Sequence, residues 1–342
     1  MFNIRKIAFL VTLFFASVYI MTAQTGTSRA ITDQRNYRFS LTPLAGILIG
    51  QSEEILYKYK NSDQYASQLL WDLKPLYYAG LALDFGPKDP FHKNGFTSAA
   101  SLKFGFPLKT GIMEDRDWMD SYEEYLTHYS RHEAFSQNAI LADISAGYTW
   151  HIKDFLAVSV FGEFSYMYFS WMAENGYYQY ATRLSGPLEP LHFEKWNSSI
   201  EKKSIYGAGM RYTQNWLIFA PGISFKGRLS SFSLEANIKY SPLIYCADRD
   251  DHLLTYNDNG QLFHGTFSIG HYIDGGASFT YTPNNRIDLL LGLSYRYITG
   301  LRDNTYHAST GTEVSGISSL NFEGGVGYSA FDIKLAARIK IY

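Results

Sequence analysis

The chain has 342 residues, 30 Lys and Arg against 32 Asp and Glu, and a single cysteine. Charge so balanced, without a basic run, gives no nucleic-acid signal, and one cysteine excludes an internal disulfide framework. Aromatics make up 17 % of the residues, with 28 Tyr and 24 Phe beside 28 Gly and only 10 Pro. A soluble periplasmic enzyme rarely needs so much tyrosine, whereas a transmembrane β-barrel places aromatic girdles at both bilayer interfaces.

Arg5 and Lys6 precede an uncharged, mostly apolar run, Ile7–Met21, followed by Thr22-Ala23-Gln24. This is the layout of an export signal, and the run is shorter than the ~20 residues of a comfortable helical span. Residues 1–24 are expected to be a signal peptide and 25–342 one barrel domain. Cys246 lies far from the cut, so it cannot serve as a lipoprotein anchor. Mean hydropathy is slightly negative, and with no second long apolar run no transmembrane helix is expected.

Further along the chain comes an acidic stretch, Gly111–Ser121, GIMEDRDWMDS, for which a solvated loop is the ordinary explanation and a functional cluster the alternative. Alternating segments follow. In Ile140–Trp150 the even positions Ile140, Ala142, Ile144, Ala146, Tyr148 and Trp150 are apolar. Phe232–Cys246 sets Phe232, Leu234, Ala236, Ile238, Tyr240 and Ile244 against Ser233, Glu235, Asn237 and Lys239. Phe263–Tyr281 sets Phe263, Phe267, Ile269, Ile273 and Phe279 against His264, Thr266, Ser268 and Asp274. The chain ends on Ile333–Tyr342, IKLAARIKIY, an alternating strand closing on an aromatic. Period two puts each set on its own strand face.

These runs are often about 15 to 20 residues long, where a tilted strand crosses a bilayer in about 9–11. The strands should project beyond the membrane on one side, and the sheet must close because every backbone group in lipid must pair. Short turns fall at Lys153-Asp154, Gly227–Ser230 and Thr282–Asn285. Long polar segments fall at Arg116–Gln137, Glu174–Ser204, Arg249–Gln261 and Leu301–Leu320. Short periplasmic turns and long outer loops are the outer-membrane pattern. The expected fold is all-β, a ten-stranded antiparallel transmembrane barrel extending beyond the outer membrane. A soluble sandwich fits poorly, since its strands usually run ~5–6 residues.

A second acidic stretch, Tyr245–Leu254, YCADRDDHLL, carries Asp248, Asp250, Asp251 and His252. Residues i and i+2 of a strand share a face, so Asp115 can point with Asp117, and Asp250 with His252. A carboxylate beside an imidazole orients it and stabilises its protonated form. Two more carboxylates opposite could hold a nucleophilic water against a peptide carbonyl with no covalent intermediate. There is no HExxH and no GxSxG. Cys246 shares the parity of the apolar face, which suggests a buried or lipid-facing thiol. Ser130-Arg131-His132 invites a serine–histidine reading, set aside here because adjacent strand residues point to opposite faces.

Together, DRDWMDS (Asp115–Ser121), SRH (Ser130–His132) and KYS…ADRDDH (Lys239–His252) resemble the omptins, the outer-membrane aspartyl-histidine endoproteases. Weaker echoes are SQLLWDL (Ser67–Leu73), TPN (Thr282–Asn284) and the final strand. The resemblance implies five outer loops and an extracellular groove where the catalytic residues Asp115 and Asp117 face Asp250 and His252. It implies substrate-binding acids at Glu54 and Asp248, with Glu53 a neighbouring candidate, and hence cleavage after Arg or Lys. Asp120 and Asp251 would act as field charges attracting cationic peptides.

By the same resemblance the partners are basic peptides or proteins and outer-membrane lipid, with no nucleic acid, for a monomeric barrel. No cofactor is expected; characterised omptins need lipopolysaccharide, and because its clamp is not matched in this chain, either another lipid serves or the requirement is absent. The positions nearest the lipid-clamping motif hold Ser165, Met167, Asn215 and Thr266. Where some omptins carry an acid favouring a basic P1′ residue, this chain has His128-Tyr129. The alternative function is a non-catalytic adhesin or structural barrel. A porin ranks last, because ten strands leave a narrow interior filled by side chains.

Overall fold

The computed structural model describes residues 36–253, 261–309 and 322–341. The expected signal peptide lies outside these residues, as do parts of the segments after Arg249 and Leu301. Thirteen antiparallel strand segments follow in chain order: β1 (Tyr37–Tyr57), β2 (Tyr65–Pro87), β3 (Gly95–Gly105), β4 (Lys109–Asp117), β5 (His128–Lys153), β6 (Leu156–Tyr180), β7 (Lys203–Leu229), β8 (Phe232–Ser241), β9 (Ile244–His252), β10 (Gln261–Ser268), β11 (His271–Tyr281), β12 (Ile287–Ser309) and β13 (Phe322–Ile341). β3 with β4, β8 with β9 and β10 with β11 are halves of single broken strands, which gives a ring of ten. The ring closes where β1 pairs with β13, from Phe39↔Ile341 up to Tyr57↔Glu323. Among the described residues no helix is long and apolar enough to cross a membrane; the crossing is made by strands.

The lower half of the ring displays an apolar exterior, including Leu81, Leu83, Leu102, Phe104, Phe219, Leu234, Ile238, Leu291, Leu293 and Leu335. The alternation read in Ile140–Trp150 and Phe232–Tyr240 is this lipid-facing set. Inside, at the same height, Lys103, Asp143, Glu163, Lys239, Asp274, Arg296 and Asp332 line a cavity of about 440 Å³. Lys239 meets Glu163 at 2.7 Å and Asp274 at 3.2 Å, and Arg296 meets Asp274 at 3.0 Å. Above this layer the interior is filled by stacked rings. Trp71 lies 5.5 Å from Tyr212, Phe169 lies 5.2 Å from Trp171, and Phe169 lies 5.5 Å from Tyr328. These rings form a floor between the charged lumen and the outer mouth.

Two continuous alternations expected from the sequence are interrupted. In β8 the odd residues Lys239 and Ser241 face inward, but in β9 the even residues Ile244, Cys246, Asp248 and Asp250 do. Pro242 causes the change, since it has no N–H for the ladder. The Ser241 hydroxyl instead takes the Leu243 N–H at 2.8 Å. β10 and β11 invert similarly at Ile269, which has φ 65°: Gly265 and Phe267 face inward below His264, then Tyr272 and Asp274. Hence Phe263 and Phe267 are not lipid-facing as their alternation suggested. Cys246 is buried in the interior, opposite Trp216 on β7 and Phe267 on β10.

The outer loops are shorter than their polar sequences suggested. β4 runs to Asp117 and β5 starts at His128, while β6 runs to Tyr180 and β7 starts at Lys203. Above the bilayer no lipid demands an apolar face, so a strand polar on both faces reads as loop although the ladder continues.

Candidate active site

Residues directly opposite in an antiparallel ladder share a face, and two ladder rows build one wall of the outer mouth. The lower row pairs Glu54 with Leu69, Leu69 with Asp115, and Asp115 with Ser130. The upper row pairs Leu56 with Ser67, Ser67 with Asp117, and Asp117 with His128. β9 supplies the other wall, with Asp250 between Tyr212 and Phe263, and His252 between Met210 and Gln261. Both walls face a cavity of about 410 Å³ lined by Glu54, Asp115, Asp117, Asp250, His252 and flanking apolar residues. The break at Pro242 is what turns the β9 acids inward.

Asp250 Oδ2 lies 2.6 Å from His252 Nε2, while Asp250 Oδ1 is buried with no hydrogen-bond partner among the described residues. Burial works against the imidazolium, yet the Asp250 charge and hydrogen bond, with Asp115 and Asp117 beyond, carry His252 up to about 9. Burial lifts Asp117 to about 6, against the pull of Ser67 and His252. Burial, then the Asp117 charge, holds Asp115 well above the ordinary carboxylate range. The two pairs therefore share one electrostatic environment.

Glu54 is the inward member of its doublet. Its Oε2 is buried without a hydrogen-bond partner among the described residues, and burial followed by the charges of Asp250, Asp248 and Asp115 raises its pKa strongly. Glu53 faces the other way and accepts from Gln68 at 2.5 Å. Asp248 lies deeper, taking the Gly265 N–H at 2.7 Å and the Tyr212 hydroxyl at 3.2 Å. Burial raises Asp248 to about 7 in spite of these donors. Four acidic groups, Glu54, Asp115, Asp117 and Asp250, thus line the cavity with His252, and Asp248 lies beneath them, its charge acting on Glu54.

Several sequence expectations are corrected. Ser130 and His132 are two residues apart, not adjacent, so they share the inner face and meet at 3.0 Å. His132 Nδ1 donates to the Asn175 carbonyl at 2.8 Å, which leaves Nε2 to accept the Ser130 hydroxyl. Asp120 is no field charge. It is buried and accepts the N–H groups of Tyr122 at 2.8 Å, Glu123 at 3.0 Å and Phe193 at 2.7 Å, and His192 Nδ1 at 2.9 Å. It clasps the loop after β4 to the loop after β6; against the cost of burial, those bonds hold its pKa down to about 2. Asp251 faces away from the cavity and is tied to Arg249 at 2.7 Å. Ser165 and Met167 point into the barrel interior and not to its exterior.

Further groups complete the outer mouth. His128 packs 4.5 Å from Tyr180 and 4.8 Å from Phe193, and burial pushes it down to about 4. Tyr180, Ile205, Met210 and Phe263 complete the cavity wall. None belongs to a motif, and only strand pairing brings them together.

Comparison with known proteins agrees with this architecture. The family model described as Omptin family matches residues 35–339. The chain is similar to the plasminogen activator of Yersinia pestis, 26 % identical over 275 residues, covering 76 % of this chain and 81 % of that protein. Its fold is similar to that of the outer membrane protease OmpT from Escherichia coli, with a TM-score of 0.75 at 18 % identity, covering 89 % of this chain and 97 % of that one. With the match spanning nearly the whole barrel, the chain belongs to the omptin family of outer-membrane proteases, its cavity at the surface-facing end.

Proposed function

We propose that this protease cleaves peptides or proteins after Arg or Lys, using a water activated between the Asp250–His252 pair and the Asp115–Asp117 pair. The observation that carries the reading is the 2.6 Å Asp250–His252 contact facing two inward carboxylates across one cavity. Asp250 orients the imidazole and stabilises its charged form. Neutral His252 takes a proton from the water as its oxygen attacks the scissile carbonyl, then returns that proton to the leaving amine. Asp115 and Asp117 hold the water from the opposite wall.

Glu54 and Asp248 receive the P1 side chain. A guanidinium or ammonium desolvates badly without a partner, and here it would meet acids that lack a cation of their own. The same cation repels the imidazolium, lowering the His252 pKa and favouring the base form when substrate is bound. The neutral ring of His128, packed on Tyr180 and Phe193, supplies no anion for a basic P1′ residue.

Serine attack is the second reading, favoured by the 3.0 Å Ser130–His132 contact. His132 leans on a neutral carbonyl and not on a carboxylate, so its imidazolium lacks the support that Asp250 gives His252. The test is refolded barrel in detergent, with and without lipopolysaccharide, acting on a fluorogenic peptide with an Arg-Arg bond. Asp250→Asn and His252→Ala should each abolish most cleavage. Cleavage that survives both but vanishes in Ser130→Ala would transfer the mechanism to the serine, and loss on chelation would indicate a metal.

A further inference from the structure

Beneath the cavity a chain of buried polar side chains ends on Asp248. The Trp216 indole N–H donates to Gln214 Oε1 at 3.1 Å, and the Ser52 hydroxyl contacts the same oxygen. An indole nitrogen can only donate, so it fixes which end of the Gln214 amide faces it. The amide nitrogen is turned the other way and donates to the Tyr212 hydroxyl oxygen at 2.8 Å. It also reaches the Glu53 carbonyl, beside Glu54, at 3.5 Å. With its oxygen already accepting, the Tyr212 hydroxyl has one proton to give, and Asp248 Oδ2 lies 3.2 Å away.

Every bond of this chain runs toward the carboxylate. Hydrogen bonds aligned in one sense polarise one another and favour an ionised end group. The chain is also rigid. Tyr212 stacks on Trp71 at 5.5 Å and on Trp171 at 5.9 Å, and Trp216, Gln214, Tyr212 and Ser52 are all fully buried. From the other side the Gly265 N–H reaches Asp248 Oδ1 at 2.7 Å. A Cβ at Gly265 would sit 2.3 Å from the Phe267 ring, so that approach is open to glycine alone. Glu54 has no such support for its Oε2.

Resting on the reading that Glu54 and Asp248 receive the P1 cation, we infer that Tyr212 and Gln214 are positioning residues for that pocket. They favour the ionised form of Asp248 and fix its orientation, and so set the preference for a cationic side chain. They act through Asp248: the Tyr212 hydroxyl bonds that carboxylate and the Gln214 amide bonds the Tyr212 hydroxyl, so these side-chain hydrogen bonds bypass the Asp250–His252 pair.

The test uses two fluorogenic peptides identical except for Arg or its uncharged isostere citrulline at P1. Wild type, Tyr212→Phe, Gln214→Met and Asp248→Asn are refolded and compared for kcat and KM. Tyr212→Phe keeps the ring and deletes one hydrogen bond to a charged group, which is worth roughly tenfold or more. The Arg-over-citrulline ratio of kcat/KM should fall about tenfold, through KM for the Arg peptide, with kcat nearly unchanged. Gln214→Met should shift the ratio the same way by about threefold, and carries the test alone if Tyr212→Phe does not refold. If Asp248→Asn erases the preference while Tyr212→Phe and Gln214→Met keep it, the relay is overturned and the pocket stands. If Asp248→Asn leaves the preference intact, the pocket reading itself falls. Equal loss of kcat on both peptides in Tyr212→Phe would reduce the tyrosine to a packing role and overturn the inference.

Discussion

The two halves of the barrel interior bury charge in opposite ways. In the membrane half central charges are paired with opposite neighbours: Lys239 with Glu163 and Asp274, Arg296 with Asp274. In the outer half Glu54, Asp115, Asp117 and Asp250 line one cavity with His252 above Asp248, and Glu54 Oε2 and Asp250 Oδ1 lack any hydrogen-bond partner among the described residues. Removing charge from water is costly unless it is paired. The lumen meets that cost with internal partners and is structural. The groove leaves it open, and a group that would complete the pairing is the cation of a substrate.

The contrast is broken most sharply by removing partners on each side. His252→Ala or Asp250→Asn should lower kcat by about 10²- to 10⁴-fold with the barrel's denaturant midpoint nearly unchanged, as measured by turnover and by unfolding on one preparation. Lys239→Met should do the reverse. It strands Glu163 inside the lumen and leaves Asp274 with Arg296 alone, and should cost about 3 kcal/mol or more of stability, with kcat preserved in the folded fraction. If Lys239→Met loses activity and keeps its stability, the division between halves is wrong.

Glu54→Gln sharpens the comparison, because its two effects have opposite signs. Relieving one of the crowded acids should leave stability equal or higher, while KM for an Arg peptide rises about 10- to 100-fold. A protein destabilised by this change would show that Glu54 is already paired.

The pH dependence should be smaller and equally specific. His252 in the free protein titrates at about 9, so kcat/KM should rise as pH climbs toward that value and the neutral imidazole accumulates. Asp250→Asn removes the anion that favours imidazolium, and should move the residual rising limb to lower pH. In stability the signs follow linkage. His252 stabilises the folded state below its unfolded value near 6.5, and this is lost as pH rises through about 9. Asp117, held at about 6, binds its proton more tightly when folded, so its contribution weakens as pH rises from about 4 to 6. Denaturant titrations of Asp117→Asn against wild type across that window should lose this slope.

Much of this was legible in one dimension, for identifiable reasons. Lipid demands an apolar exterior, so Leu234, Ile238 and Tyr240 alternate with Glu235, Asn237 and Lys239, and the barrel follows. Spacing by two placed Asp115 with Asp117 and Asp250 with His252. The same rule, applied to Ser130 and His132, would have found their contact. Asp120 looked like Asp117 in composition, and only the turn of the loop toward Phe193 and His192 made it a clasp.

By itself the sequence determined the closed sheet and the two acid motifs, because period-two patterning and i, i+2 spacing are local properties of an extended chain. Tertiary structure alone decided that the motifs meet. Pro242 inverts the strand so that Asp248, Asp250 and His252 face inward, and the pairing of β7, β9 and β10 across the ring brings Tyr212 and Gly265 onto Asp248. Such contacts depend on ladder register between distant segments, which no local pattern of residues encodes.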